Sequence, residues 1–319
     1  MTNAKYRNNL PQLNGQKLLT DGGLETTLIF HDGIDLPYFA AFDLLRTLEG
    51  RRTLKAYYCR YAQVAKDRDI GFILDSPTWR AHQDWGDLMG YNAEALEAAN
   101  RDAIDLMEEV RSEFETDTAP FVINASIGPR GDGYNPAKLM TTDEAEAYHS
   151  AHVNTFADAG VDMVTALTMT HVEEAIGVTR AAQSAGVPIA VAFTVETDGR
   201  LPTGQPIKDA INQVDAETGN GSVYFMINCA HPEHFQDALE AGEIWLERIA
   251  GIRANASRMS HAELDNAEEL DDGNPVEFGQ QYRELQAVLP NLAVAGGCCG
   301  TDHRHIEEIY QSCFHQHAA

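Results

Sequence analysis

Three of the five cysteines stand where thiolate chemistry is possible. Cys298 and Cys299 are adjacent, inside "NLAVAGGCCGTDHRHI" (291–306), and Cys229 closes "SVYFMINC" (222–229). Neighbouring cysteines rarely bond to each other, because the ring that would close is strained. The glycines around the pair, Gly296, Gly297 and Gly300, free the backbone to turn both sulfurs toward one ion. Three thiolates suit Zn2+, a soft-ligand ion, and leave one position open as in catalytic sites. The plainer alternative is that these are small buried residues, as free cysteines often are. Cys59 and Cys313 lie on helical patterns and read as core or surface thiols. His231, His234, His303 and His305 flank the cysteines, but they open helices and should point away. His315 and His317, in the tail, read as solvated.

A second candidate is "LLTDGGLETT" (18–27). Asp21 ends an apolar run, and Gly22 and Gly23 permit close approach of a ligand. A carboxylate there could hold an ammonium group, or it could serve a simple Asp-Gly turn.

The elements that must position these residues recur along the chain. Strand-like apolar runs fall at 17–21, 71–76, 121–128, 161–167, 189–195, 222–228, 248–255 and 291–297, several bounded by Gly, Pro, Asn or Asp. Helix-like segments alternate with them at 53–68, 92–114, 142–160, 171–186, 207–219, 232–242, 275–290 and 302–317. Eight alternations predict a single-domain α/β protein, a (β/α)8 TIM barrel over 1–319 with 1–16 as an N-terminal extension. The strands are followed by no Gly-x-Gly-x-x-Gly, which weakens a dinucleotide-binding alternative. In a barrel, function gathers where strands end. Asp21, Asp75, Ser76, Leu167, Thr168, Cys229 and the Cys298–Cys299 pair all fall there. The polar stretch 254–275 after the seventh strand is long enough to be a lid over that face, centred on 257–272. Trp79, Trp85, Tyr134 and Phe193 lie near strand ends, where an aromatic ring could face a bound cation.

Composition narrows the partners. The 319 residues carry 23 Lys+Arg against 49 Asp+Glu, a formal net charge of −26. Such a surface repels nucleic-acid backbones and anionic membranes, so neither is an expected partner. No apolar run is long enough to span a bilayer, and an odd, low cysteine count does not suggest a secreted disulfide framework. A cytoplasmic protein with reduced thiols is expected.

Taken in order, "DGG" at 21–23, "SIGPRGDGY" at 126–134, "AGVDMVTALT" at 159–168, "INC" ending at Cys229 and "GGCCGT" at 296–301 resemble the homocysteine S-methyltransferase family, from about Leu18 to Ile309. The resemblance implies a zinc-bearing (β/α)8 barrel that methylates the sulfur of homocysteine. Cys229, Cys298 and Cys299 would hold the zinc, and Asp21 with Gly22 and Gly23 the amino acid. Asp75 and Thr168 fall at the family's two Glu-Thr pairs, here Asp75–Ser76 and Leu167–Thr168. The second glutamate normally helps hold the homocysteine ammonium, and Leu167 cannot. Three cysteinates make a zinc centre formally −1, and a substrate thiolate takes it to −2, which keeps the sulfur electron-rich. Small-molecule partners follow: a thiol acceptor and a cationic donor, sulfonium or quaternary ammonium. The alternatives are a non-catalytic zinc- or thiol-binding barrel, and a hydrolase using zinc-bound water, which three thiolates disfavour.

Overall fold

The computed structural model describes residues 4–134 and 139–315. His317 lies outside them. Eight parallel strands close in sequence order: β1 (Leu18–Leu19), β2 (Gly71–Asp75), β3 (Phe121–Ile127), β4 (Met163–Met169), β5 (Ile189–Phe193), β6 (Ser222–Asn228), β7 (Ile249–Ala254) and β8 (Val294–Gly297). Closure is direct: Leu18 of β1 pairs with Gly71 of β2 on one side and Val294 of β8 on the other. All eight expected strands are present, though β1 pairs over two residues only, because the Asp21–Gly23 turn departs at once. The main crossover helices are α1 (Leu48–Asp67), α2 (Ala93–Phe114), α3 (Thr142–Ala159), α4 (Val172–Ala185), α5 (Ile207–Thr218), α6 (Pro275–Val288) and α7 (His303–Ile309). Their ends follow the sequence. Asn92, Thr141, Asn274 and Asp302 cap N-termini through their side chains, and Gly160, Gly186 and Gly219 close C-termini in the left-handed conformation.

The helix expected over 232–242 is a correction. That segment holds one helical turn at Pro232–Phe235 and a 3-10 turn at Gln236–Ala238, after which the chain bends at Leu239. The bend delivers Trp245 and Leu246 to buried positions just before β7, and that packing overrides local propensity.

Alternation along the strands splits the apolar residues in two. Leu18, Ile73, Val122, Met163, Ala190, Tyr224 and Val294 fill the barrel interior. Leu19, Phe72, Phe121, Phe193 and Phe225 pack outward against the helices. The N-terminal extension seals the end where the strands begin. Leu10 joins the interior cluster, Gln12 Nε2 donates to the Met163 sulfur at 3.1 Å, and Tyr6 N donates to Asp162 at 2.6 Å. The opposite end stays open. Among the described residues, no helix is long and apolar enough to cross a membrane.

Behind β3 and β4 lies a buried histidine group. His82 Nδ1 meets Tyr148 Oη at 2.6 Å, and His152 Nε2 meets Asn100 Oδ1 at 3.2 Å, while their other ring nitrogens have no partner. Burial, and then neighbouring histidines, push His82 well below its ordinary range and His152 down to about 3. Both are therefore neutral in the fold and take up protons on unfolding below about pH 6.5. The unfolded chain binds more protons in that window, so stability falls as pH drops, by about 1.4 kcal/mol per pH unit for each histidine. His152→Gln should flatten the slope of unfolding free energy against pH by one such increment between pH 6.5 and 5. An unchanged slope would mean that His152 is already charged in the fold.

Candidate active site

The open end holds a cavity of roughly 960 Å³, counting its mouth, lined by Asp21, Gly22, Gly23, Asp75, Thr168, Cys229, Cys298 and Cys299 among others. The eight site residues named from sequence thus share one cavity. Their convergence comes from the β1 and β8 loops being knitted together. Gly23 N donates to Thr301 O at 3.0 Å, and Gly297 N to Asp21 O at 2.9 Å. A Cβ on Gly23 would lie 2.6 Å from the Cys298 carbonyl oxygen, so only glycine permits this approach.

Cys229 reaches the same point from β6 through a strained turn. Its φ is +57°, unusual for a residue with a side chain. Its surroundings fix that conformation: its amide donates to Arg253 O at 3.0 Å, and its carbonyl accepts from His261 Nε2 at 2.8 Å and Thr194 Oγ1 at 3.3 Å. The result is three sulfurs within 4.8 Å of one another, with Cys229 and Cys299 3.7 Å apart. Among the described residues this is the one such cluster of His, Cys, Asp and Glu. Hydrogen bonds from the Cys229 and Cys299 thiols hold Cys298 well below the ordinary thiol range, with help from Arg253. The same bonding leaves Cys229 raised. Three sulfurs this close together are a donor set suited to a soft cation. Cys59 and Cys313 pack against the helical shell, away from the cluster. His231 and His305 cap helices instead of facing the sulfurs.

Two residues of the site were not picked out as ligand neighbours in sequence. Tyr134 puts its hydroxyl 3.1 Å from Cys229 Sγ and 3.7 Å from Cys299 Sγ. Burial, then the cysteines, push its phenol well above 10, so it stays a neutral donor to sulfur. His261 stacks on the Tyr134 ring at 4.1 Å. It comes from a short helix, His261–Leu264, in the stretch after β7, and Asp265 of the same stretch lines the cavity.

The other omission is Arg253, the one charged side chain in the interior of β7. It donates to Asp21 Oδ1 at 2.7 Å, to Asp75, to Gly22 O at 3.2 Å and to Gly297 O at 3.0 Å. Asp21 also accepts from Tyr57 Oη at 2.9 Å, and Asp75 from Asn124. Both aspartates are thus committed to a buried network. Thr168 has φ +62°, and Asn228 spans it, accepting from its amide at 2.8 Å and donating to its hydroxyl at 2.9 Å. The signal in sequence was Arg253 itself, since a charge within a buried strand must be paired.

The expected aromatic face is only partly present. Tyr134 and Trp79 line the cavity, but one face of Trp79 carries the Arg80 guanidinium at 4.0 Å. Trp85 covers the same guanidinium, also at 4.0 Å. Phe193 is fully buried against Phe225 in the outer core, because its position on β5 points it away from the barrel axis.

The homocysteine S-methyltransferase family model matches residues 18–313. Betaine–homocysteine S-methyltransferase 1 of Rattus norvegicus is 26% identical over 259 residues, covering 74% of this chain. The chain spans 59% of the length of that relative. Among solved structures, the homocysteine methyltransferase MmuM of Escherichia coli superimposes in its oxidized form with a TM-score of 0.73 at 19% identity. That match covers 94% of this chain and 97% of the other. Its metallated form gives 0.72 at 18% identity, covering 95% and 98%. These structures share the barrel, and the family match takes in all three cysteines. The chain belongs to the homocysteine S-methyltransferase family.

Proposed function

We propose that the chain is a zinc-dependent methyltransferase, moving a methyl group from a small cationic donor to the thiol of homocysteine or a related small thiol. The observation that carries this reading is the convergence of three sulfurs on a cavity at the open end of the barrel. Cys229, Cys298 and Cys299 would hold the zinc, whose preference for thiolates fits this donor set. A bound zinc would take the acceptor sulfur as thiolate, and three cysteinates would leave that sulfur electron-rich and nucleophilic.

The chain's own residues supply the rest. His261 and Thr194 fix the turn that aims Cys229, and Tyr134 caps the sulfurs with a hydrogen-bond donor. Five carboxylates and two guanidiniums line the cavity, a balance that concentrates cations. A quaternary ammonium or sulfonium donor fits that field, and the betaine in the rat relative's name supports the first of these.

A screen of sulfonium and quaternary ammonium donors against homocysteine, on reduced zinc-loaded protein, tests the reading. Transfer from at least one donor is expected. Tight thiol binding without transfer from any donor would favour a non-catalytic thiol-binding barrel.

The stretch after β7 also makes a prediction. Its Asp265 borders the cavity, its His261 stacks on the cavity-lining Tyr134, and Ser257 and Asp271 clasp each other at 2.6 Å. Amide exchange over 257–272 should slow at least several-fold when acceptor and donor are bound together. Unchanged exchange would show that this segment does not close on ligand.

A further inference from the structure

The stretch 128–134 after β3 forms one wall of the cavity, through Asp132, Gly133 and Tyr134. Gly128, Gly131 and Gly133 give it little conformational preference of its own. Its shape therefore comes from ties to other elements. Gly128 N donates to Trp79 O at 3.0 Å, and Gly131 O accepts from Arg80 Nη1 at 2.9 Å. Arg130 Nε donates to Asp84 at 2.9 Å, in a pair that stays partly open to solvent.

The remaining tie is Glu174. Its carboxylate is 1% exposed, and it is not one of the residues lining the cavity. It sits in the first turn of α4, where the helix dipole favours a negative charge. Its Oε1 accepts from the Arg130 amide at 2.7 Å and meets His149 Nε2 of α3 at 2.9 Å. His149 Nδ1 is buried without a partner, so the ring proton belongs on Nε2, which donates it to Glu174. On the other side, Glu174 Oε2 faces His171 Nδ1 at 3.6 Å. The second nitrogen of His171 accepts from the Met140 amide at 3.4 Å, which places that ring's proton on Nδ1, toward Glu174. Burial holds His171 below its ordinary range, so the ring is neutral near pH 7.

One buried carboxylate thus reaches the chain on both sides of Tyr134 in sequence, directly at Arg130 and through His171 at Met140. Among the described residues its ion-pair partners are histidines. A carboxylate is costly to bury on such terms, and its bonds go to the segment that carries Tyr134.

We propose that Glu174 is a positioning residue for the sulfur site, setting the Tyr134 hydroxyl on Cys229 and Cys299 from behind the cavity wall. This rests on the three-sulfur site described above. His261 steadies the face of the Tyr134 ring, and Glu174 fixes the backbone that delivers it. The result is the hydroxyl 3.1 Å from Cys229 Sγ and 3.7 Å from Cys299 Sγ.

Alkylation of the reduced, metal-free protein with iodoacetamide, followed at each cysteine by mass spectrometry, tests this. Tyr134→Phe removes the hydroxyl and should speed labelling of Cys229 and Cys299 by about 2- to 12-fold, the equivalent of one hydrogen bond. Glu174→Leu should speed the same two sites by a similar factor and leave Cys59 and Cys313 at the wild-type rate. Glu174→Gln keeps an acceptor oxygen and should stay closer to the wild type. Combining Glu174→Leu with Tyr134→Phe should label no faster than the faster single variant, because both act through one contact. Unchanged labelling of Cys229 and Cys299 in Glu174→Leu overturns the proposal. So does a rise shared with Cys59 and Cys313, which marks general loosening, or two effects that multiply when combined. The wild type supplies a check that needs no variant to fold. Its Arg130 amide should exchange with solvent at least about 10-fold more slowly than an unbonded loop amide, and rapid exchange there overturns the proposal too. Methyl transfer plays no part in these measurements, so a protein that transfers nothing would count against the proposed function alone.

Discussion

Cys298→Ser and Cys299→Ser should each leave the purified protein nearly free of zinc, while Cys59→Ser and Cys313→Ser retain the wild-type content. The sulfurs of Cys229, Cys298 and Cys299 lie within 4.8 Å of one another, and no histidine or carboxylate joins them in a metal-binding group among the described residues. With one thiolate gone, two sulfurs remain, and the described residues offer no substitute. Removal of an outer-sphere partner typically costs a metal site about 10- to 100-fold in affinity, and loss of a direct ligand should exceed that. Elemental analysis after gel filtration measures it, and methyl transfer should fall with the zinc. The barrel should survive, because the cysteines sit in loops beyond the strand ends, so circular dichroism should change little. Wild-type zinc in a protein lacking both Cys298 and Cys299 would refute the assignment.

Arg253→Met should destabilise the protein by about 3–5 kcal/mol, the usual result of stripping one partner from a buried ionic network. Arg253 is 7% exposed, Asp21 3% and Asp75 7%, so water cannot take over the lost pairing. Two aspartates would be left facing one another, and each would be driven toward its protonated form. A carboxylate whose pKa is raised in the fold holds extra protons there, so the deficit should shrink as pH falls from 7 to 5. Adding Asp21→Asn and Asp75→Asn to the variant should recover much of the loss. Urea unfolding of the three proteins measures this. A cost below about 1 kcal/mol for Arg253→Met alone would show that the network is solvated rather than buried.

The barrel was legible because its signal is repetitive. Eight apolar runs alternating with capped amphipathic segments leave few architectures, and small errors at any one run do not change the count. The composition of 232–242 favours helix, whereas the fold needs Trp245 and Leu246 buried a few residues later. The cysteine site was legible because adjacent cysteines between glycines make poor core filler. Tyr134 is legible as an aromatic that could face a cation, but the contact of its hydroxyl with the Cys229 and Cys299 sulfurs exists only in three dimensions. His261 opens a short helix capped by Ser260 within a polar stretch, and its hold on the Cys229 carbonyl exists only in three dimensions. Arg253 is legible from its own strand. A lone charge in "IAGIRA" demands buried counter-charges, and Asp21 and Asp75, at other strand ends, were the available ones.

X-ray absorption at the zinc edge, with and without homocysteine, tests the central claim most directly. Three cysteine sulfurs should account for the sulfur scattering of the zinc-loaded protein, and homocysteine should add one more sulfur at bonding distance while homoserine adds none. A zinc environment dominated by nitrogen and oxygen, or a sulfur count that homocysteine leaves unchanged, would contradict the account.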